Sequence, residues 1–215
     1  HEIAAHWTFV EWTRLRSRAL RDEAGRLECL RIEELALHSL GNAIALRPLS
    51  SPLHDRMASY HRAFRGLSLE LLRASNGRDS MAEGRAKDHL RLALLSAERA
   101  VELYPTYPPI RYSLGRLLDE DGRGPEAERQ YREALRLDEG VAREQWSTDR
   151  MRLPLLARAR SWVRLGDRTR AVALVASGPL PSADEQAAEW DDLMGAVIRE
   201  ARKSTMGPVQ PRGNQ

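Results

Sequence analysis

Hydrophobic positions along residues 111–140, RYSLGRLLDEDGRGPEAERQYREALRLDEG, recur at three- and four-residue steps, with charge filling most of the gaps. Tyr112, Leu114, Leu117 and Leu118 therefore fall on one face of a helix. Asp121-Gly122-Arg123-Gly124-Pro125 breaks the pattern, because glycine tolerates the left-handed backbone that ends a helix and proline suits the first turn of the next. Ala127, Tyr131, Ala134 and Leu135 then line a second helix, with the alanines leaving room for close approach and Tyr131 filling the space between them. The spacing predicts a helical hairpin whose apolar stripe is too small to be stable alone.

Such a unit needs neighbours to bury its face. The segment 89–104, HLRLALLSAERAVELY, repeats the second-helix pattern, because Ala93, Ala100 and Pro105 each stand 34 residues before Ala127, Ala134 and Glu139. Ala36, Leu40, Ala43 and Pro48 repeat it in ELALHSLGNAIALRP, and Ala159, Trp162, Gly166 and Ala171 fit a helix, a turn and the start of a second helix. The periods are irregular: Pro48 to Pro105 spans 57 residues, and Gly122 to Gly166 spans 44. Lengthened helices or loops such as RASNGRDSMAEG (73–84) would account for the excess.

The hairpin over 108–141 resembles the tetratricopeptide repeat (TPR), a helix-turn-helix unit of 34 residues. Leu114 and Gly115 take that family's leucine-glycine pair, Leu118 its large apolar position and Gly122 its turn glycine. Ala127, Tyr131 and Ala134 take the small, aromatic and small positions of the second helix. Arg111 stands where the family often has tryptophan, and Glu139 where it usually has the closing proline. The resemblance implies an all-α, TPR-like helical-hairpin solenoid with lengthened, irregular repeats.

Composition is consistent with one helical domain over 1–205: 215 residues, 30% charged and 42% hydrophobic, with no alternating run long enough for a strand. The stretch 183–203 reads as a C-terminal capping helix, acidic early and basic late, as the helix dipole favours. The Pro/Gly-containing end, 206–215, reads as a flexible tail. IAAHWTFVEW (3–12) reads as a first helix packing Trp7, Phe9 and Val10 onto the next hairpin. An alternative makes it the stub after a membrane segment or a signal peptide, the former associating the chain with a membrane complex through its N-terminal side. No apolar run approaches the roughly 18 residues needed to span a bilayer. Cys29 is the sole cysteine, so the compartment stays open.

Positive charge comes from 34 Lys+Arg against 31 Asp+Glu, and it is distributed in blocks. Residues 143–170 hold eight arginines and three acids, whereas 116–139 hold five arginines and eight acids. Near-neutrality and the lack of aromatic-basic interleaving argue against nucleic acid. No GxxxxGK[ST], GxSxG, HExxH or CxxC occurs, and His54 and His61, seven apart, lack a carboxylate ligand pattern. Glu33-Glu34 and Asp191-Asp192 diverge on a helix and form no dyad. The chain is read as non-catalytic, with no cofactor and no metal.

What remains is a protein-binding scaffold. TPR proteins line a groove with successive first helices, and the resemblance places Tyr112, Arg116 and Asp119 there. Setting Gly166 as a second turn glycine adds Leu156, Arg160, Val163 and Arg164, and a looser register after Pro48 adds Asp55, Ser59 and Arg62. Arginines beside Tyr112 suit an acidic partner segment. The lysine-asparagine pair with which chaperone adaptors of the family clamp a terminal carboxylate is absent at these positions. The alternative function is an accessory domain of a bacterial membrane machine, such as a polysaccharide polymerase or ligase.

Overall fold

The computed structural model describes residues 1–143, 153–177 and 192–205. Every regular element among them is helical: α1 (Glu2–Ala19), α2 (Glu23–Leu46), α3 (Ser51–Ala74), α4 (Ser80–Leu103), α5 (Pro108–Glu120), α6 (Gly124–Arg143), α7 (Leu155–Arg164), α8 (Arg168–Ala176) and α9 (Asp192–Thr205). Among the described residues the fold is all-α, built of helical hairpins. The chain divides into two compact units, His1–Ala127 and Glu128–Gln215, with the division inside α6.

Local chemistry sets the helix ends. Asp22, Asp79 and Asp167 each accept a backbone N–H three residues on, from Gly25 at 2.6 Å, Ala82 at 2.9 Å and Arg170 at 2.8 Å. Each bond satisfies an N–H that has no partner in the first helical turn. Pro52 and Pro108 occupy first-turn positions of α3 and α5, where a missing N–H carries no penalty. Gly122 and Gly166 close α5 and α7 in the same way, with φ of 78° and 84°. The N–H beyond each reaches back to Leu118 (2.9 Å) or Trp162 (2.9 Å), the bond of a Schellman ending.

In the first unit α1 packs on α2 and α3 on α4, α2 touches α3, and α5 rests on α4 and touches α3. The core is one cluster of Ala5, Trp12, Cys29, Ile32, Ala36, Leu40, Phe64 and neighbours. Phe9 stacks between Tyr60 (centroids 4.1 Å apart) and Trp12 (5.7 Å), and Trp12 meets Phe64 edge-on at 4.8 Å. Trp7 departs from the expectation that it packs inward: it is 64% exposed, whereas Trp12 is 1% exposed. Five residues of helix turn the chain by about 140°, so the two tryptophans cannot share a face.

The irregular period is carried by helix length. Helices α2, α3 and α4 each run 24 residues against 13 for α5, and only 75–79 separate α3 from α4. Small residues recur where helices approach: Ala36, Ala93, Ala97 and Ala100 are fully buried or nearly so, as are Ala127, Tyr131 and Ala134 on α6. Gly25 marks a closer approach still. A Cβ there would lie 2.8 Å from the backbone carbon and oxygen of Arg18.

The second unit has its own core of Ala159, Ala171, Val175, Met194, Val197, Ile198 and Ala201. The buried positions on α9 step by three and four, so one stripe packs against α8. Asp138 of α6 is buried and accepts the Leu153 N–H at 2.6 Å. The start of the expected capping helix, 183–191, and the tail 206–215 lie outside the described residues.

Two substitutions test this packing. Gly25→Ala should lower the melting temperature even though alanine is the better helix former by about 1 kcal/mol, because backbone rather than a mobile side chain blocks the Cβ. Ala127→Leu or Ala134→Leu should cost about 1–3 kcal/mol in a denaturant titration by overpacking fully buried sites.

Candidate functional site

Two rows of side chains in the first unit share a spacing. Asp55, Ser59 and Arg62 of α3, and Tyr112, Arg116 and Asp119 of α5, each follow an i, i+4, i+7 step, which keeps a row on one helix face. The opposite faces are core: Leu53, Tyr60, Phe64 and Leu67 on α3, and Ile110, Leu114, Leu117 and Leu118 on α5, are buried. The α3–α5 face is therefore the other side of these helices, where Ser59 is exposed and the remaining five residues are half-buried.

One end of that face is closed by charge. Glu120 of α5 receives two arginines of α3, Arg62 Nε at 2.7 Å on Oε1 and Arg65 Nη1 on Oε2. Arg62, expected to meet a partner, is thus first a tie between two helices. Midway, the Arg116 guanidinium lies 5.8 Å from the Tyr112 ring centroid. At the other end a cavity of about 410 Å³ is lined by Pro52, Asp55, Arg56, Ser59, Tyr104, Tyr107 and Ile110. Tyr104 and Tyr107 stack there with centroids 5.5 Å apart.

Asp55 is the chemically distinctive member. Oδ1 is shielded from solvent and has no hydrogen-bond partner, while the carboxyl is hydrogen-bonded with Ser113 of α5. Burial pushes its pKa up to about 6, against the lowering effects of Ser113 and of Arg56. The Tyr107 phenol is also pushed up, by burial first and then by Asp55 and Tyr104. Arg56 is engaged elsewhere, its Nη1 lying 2.7 Å from Glu2 Oε1 on α1.

A second polar cluster lies inside the first unit. Arg85 Nη2 is 2.6 Å from Glu33 Oε1, the same oxygen is 3.0 Å from His89 Nε2, and His89 Nδ1 is 3.1 Å from His61 Nδ1. Glu33 accepting from His89 Nε2–H leaves Nδ1 as acceptor, so His61 must donate from Nδ1–H. Burial, then the proximity of His89, pushes the His61 pKa down to about 4. His61 belongs to the interior, where a partner on α4 satisfies it. His54 instead faces the Pro48 carbonyl at 3.0 Å. Glu33 is buried and Glu34 exposed, so the adjacent acids do diverge. Among the described residues no group of three His, Cys, Asp or Glu is placed to hold a metal ion, and no helix is long and apolar enough to cross a membrane.

In the second unit, α7 carries the remaining predicted groove residues. Leu156 and Val163 are partly buried and pack against the local core. Arg160 is 7% exposed, whereas Arg164 is exposed. Trp162 is covered by the Arg170 guanidinium, 3.8 Å from its ring centroid. The glutamate-histidine chain and the tyrosine-lined cavity were missed by sequence reasoning, since each is assembled across two or three helices. Only the 57-residue interval from Pro48 to Pro105, which also separates Asp55 from Tyr112, could have aligned α3 with α5.

Comparison with known proteins adds likeness without close relatives. No protein-family description and no curated protein matches the sequence. Among solved structures, a thermophilic TPR protein of Thermus thermophilus is 21% identical, with a TM-score of 0.35 over 86% of this chain and 98% of that one. Two structures of MamA are 13% and 12% identical, each with a TM-score of 0.27; 86% and 95% of this chain are covered, and 98% and 97% of theirs.

The buried acid and base titrate in opposite senses. His61 falls from an ordinary 6.5 to about 4, so the stability of its neutral form is complete above 6.5 and is lost as pH falls toward 4. Asp55 rises from 3.8 to about 6, so its contribution grows as pH falls through 6. Thermal melts between pH 7 and pH 4 should show a smaller acid loss for His61→Gln than for the parent, and a steeper one for Asp55→Asn. Identical profiles in all three proteins would place both titrations outside this window.

Proposed function

We propose that the protein is a non-catalytic interaction scaffold that holds a segment of a partner protein on the α3–α5 face. The observation that carries this reading is the paired i, i+4, i+7 rows on two helices whose other faces are buried, with a cavity at one end. Side chains there are polar with an aromatic body, the mixture that anchors a peptide and fixes its direction.

The partner segment is acidic with an apolar anchor. Arg116 and Tyr112 on α5 supply a cation and a contact surface, and α7 holds Arg158, Arg160 and Arg164 with no acid between 155 and 164. Within the second unit, exposed Arg164 offers the same chemistry by itself. Arginine presents a planar fork of donors that matches a carboxylate. Its exposed charges steer encounter more than they add affinity.

A labelled Asp/Glu-rich peptide carrying one leucine should bind the parent, and anisotropy should report weakening as salt rises from about 0.05 M to about 0.5 M. Arg116→Glu should weaken binding by about tenfold or more, equivalent to about 1.4 kcal/mol, with an unchanged circular-dichroism spectrum. Equal binding of an Arg/Lys-rich peptide, or an Arg116→Glu variant that binds like the parent, would remove the acidic-partner reading.

A further inference from the structure

We infer that the cavity between Asp55 and the stacked tyrosines Tyr104 and Tyr107 is a subsite for one basic side chain, lysine or arginine, of a partner polypeptide. It requires only the cavity and not the acidic character of the surrounding face.

Three features of the site converge on an organic cation. The first is the carboxyl of Asp55, which lines the cavity with one oxygen shielded from solvent and lacking a hydrogen-bond partner. A buried acceptor in that state is unfavourable, and a ligand donor satisfies it once the side chains covering Oδ1 move aside. The second is the aromatic wall. Tyr104 and Tyr107 lie nearly parallel, with 11° between ring planes, and Tyr104 is partly exposed. Aromatic faces attract ammonium and guanidinium groups, most strongly when water is excluded. The third is the state of the neighbouring cation. Arg56 also lines the cavity, but its Nη1 bonds Glu2 Oε1 at 2.7 Å, and Arg47 binds the other oxygen of Glu2 at 2.6 Å. Arg56 therefore bonds Glu2 on α1, and its attraction lowers the Asp55 pKa by less than burial raises it.

The titratable and charged groups around the carboxyl come from every adjoining element: Arg56 on α3, Glu2 on α1 through Arg56, and Tyr104 and Tyr107 in the α4–α5 connection, with the Ser113 hydroxyl on α5. Their balance leaves Asp55 poised near pH 6, so a bound cation would draw it into the ionised form and release a proton. A carboxyl shifted by burial in a cavity is a candidate functional group, and here aromatic rings line the same cavity.

The test uses the full chain with small probes. Nα-acetyl-lysine amide and Nα-acetyl-arginine amide would be titrated against protein carrying ¹³C-aspartate, with the Asp55 Cγ resonance followed by NMR. Saturation by at least one probe is expected, together with a downward movement of the Asp55 midpoint. Binding at pH 7.5 should exceed that at pH 5 by about tenfold, the change in the ionised fraction of a group with a pKa near 6. Asp55→Asn should abolish binding, and Tyr107→Leu should weaken it severalfold. Melting temperature checks the fold of both variants, and Asp55→Asn should melt no lower than the parent at pH 7.5 because it removes a buried charge. The assignment is overturned if neutral Nα-acetyl-norleucine amide binds as well as the lysine probe. It is equally overturned if folded Asp55→Asn binds like the parent, or if neither cation moves the Asp55 resonance.

Discussion

A pair of short helices with alanine and leucine on its inner side cannot enclose a core. Everything else in the first unit follows from that constraint. Each hairpin must lay its stripe against the next, so the residues at the contact have to be small where backbones approach and large where they diverge. Ala93, Ala97 and Ala100 on α4 meet the first demand, and Trp12, Phe64 and Leu40 the second. Gly25 is the limiting case, since its position against the Arg18 backbone leaves no space for a methyl group. Lengthening α2, α3 and α4 to 24 residues enlarges the shared stripe, which compensates for the modest apolar area that each alanine buries.

Arginine performs a separate task. Glu70 takes Arg16, Glu120 takes Arg62 and Arg65, Glu2 takes Arg47 and Arg56, and Glu33 takes Arg85. Each of these joins different helices rather than neighbouring turns of one. The exposed i,i+3 and i,i+4 pairs such as Arg31 with Glu28 contribute little, because water and salt screen them. The interhelical ties, of which Arg16 on Glu70 is two-pronged, link side chains of separate helices and so set the direction in which one helix meets the next. Replacing either member alone would leave a half-buried charge, and that asymmetry makes such ties specify register even where their net stabilisation is small.

Much of the architecture could be read from periodicity. The hairpin of α5 and α6, the turn glycines Gly122 and Gly166 and the alanine register of α2 and α4 depend on local spacing, which a linear sequence displays directly. Trp7 and Trp12 show where such reading fails. Both sit in an apolar run, and only the packing partner decides which faces inward; Phe9 stacked on Tyr60 fixes the answer by filling the inner face. The α3–α5 face was half legible, because the i, i+4, i+7 rows are visible while Glu120, which holds Arg62, stands 58 residues away. The His61–His89–Glu33 chain was not legible at all. It joins three helices, and His61 carries no local sign that distinguishes it from exposed His54 one heptad earlier.

These polar groups have a common physical logic. A purely apolar helical array can slide, since one leucine-alanine stripe fits the next in more than one register. A buried group that needs a particular partner removes the alternatives: shifting α3 along α4 by one turn would separate His61 from His89 and leave both unsatisfied. The two buried titrating groups then differ in what they leave unfinished. His61 has its donor directed to His89, and its depressed pKa keeps it neutral, so the cluster is complete within the protein. Asp55 has one oxygen satisfied through Ser113 and the other without a partner, beside an open cavity. A completed polar cluster serves the fold. An incomplete one beside a cavity leaves an acceptor that only something outside the chain can satisfy.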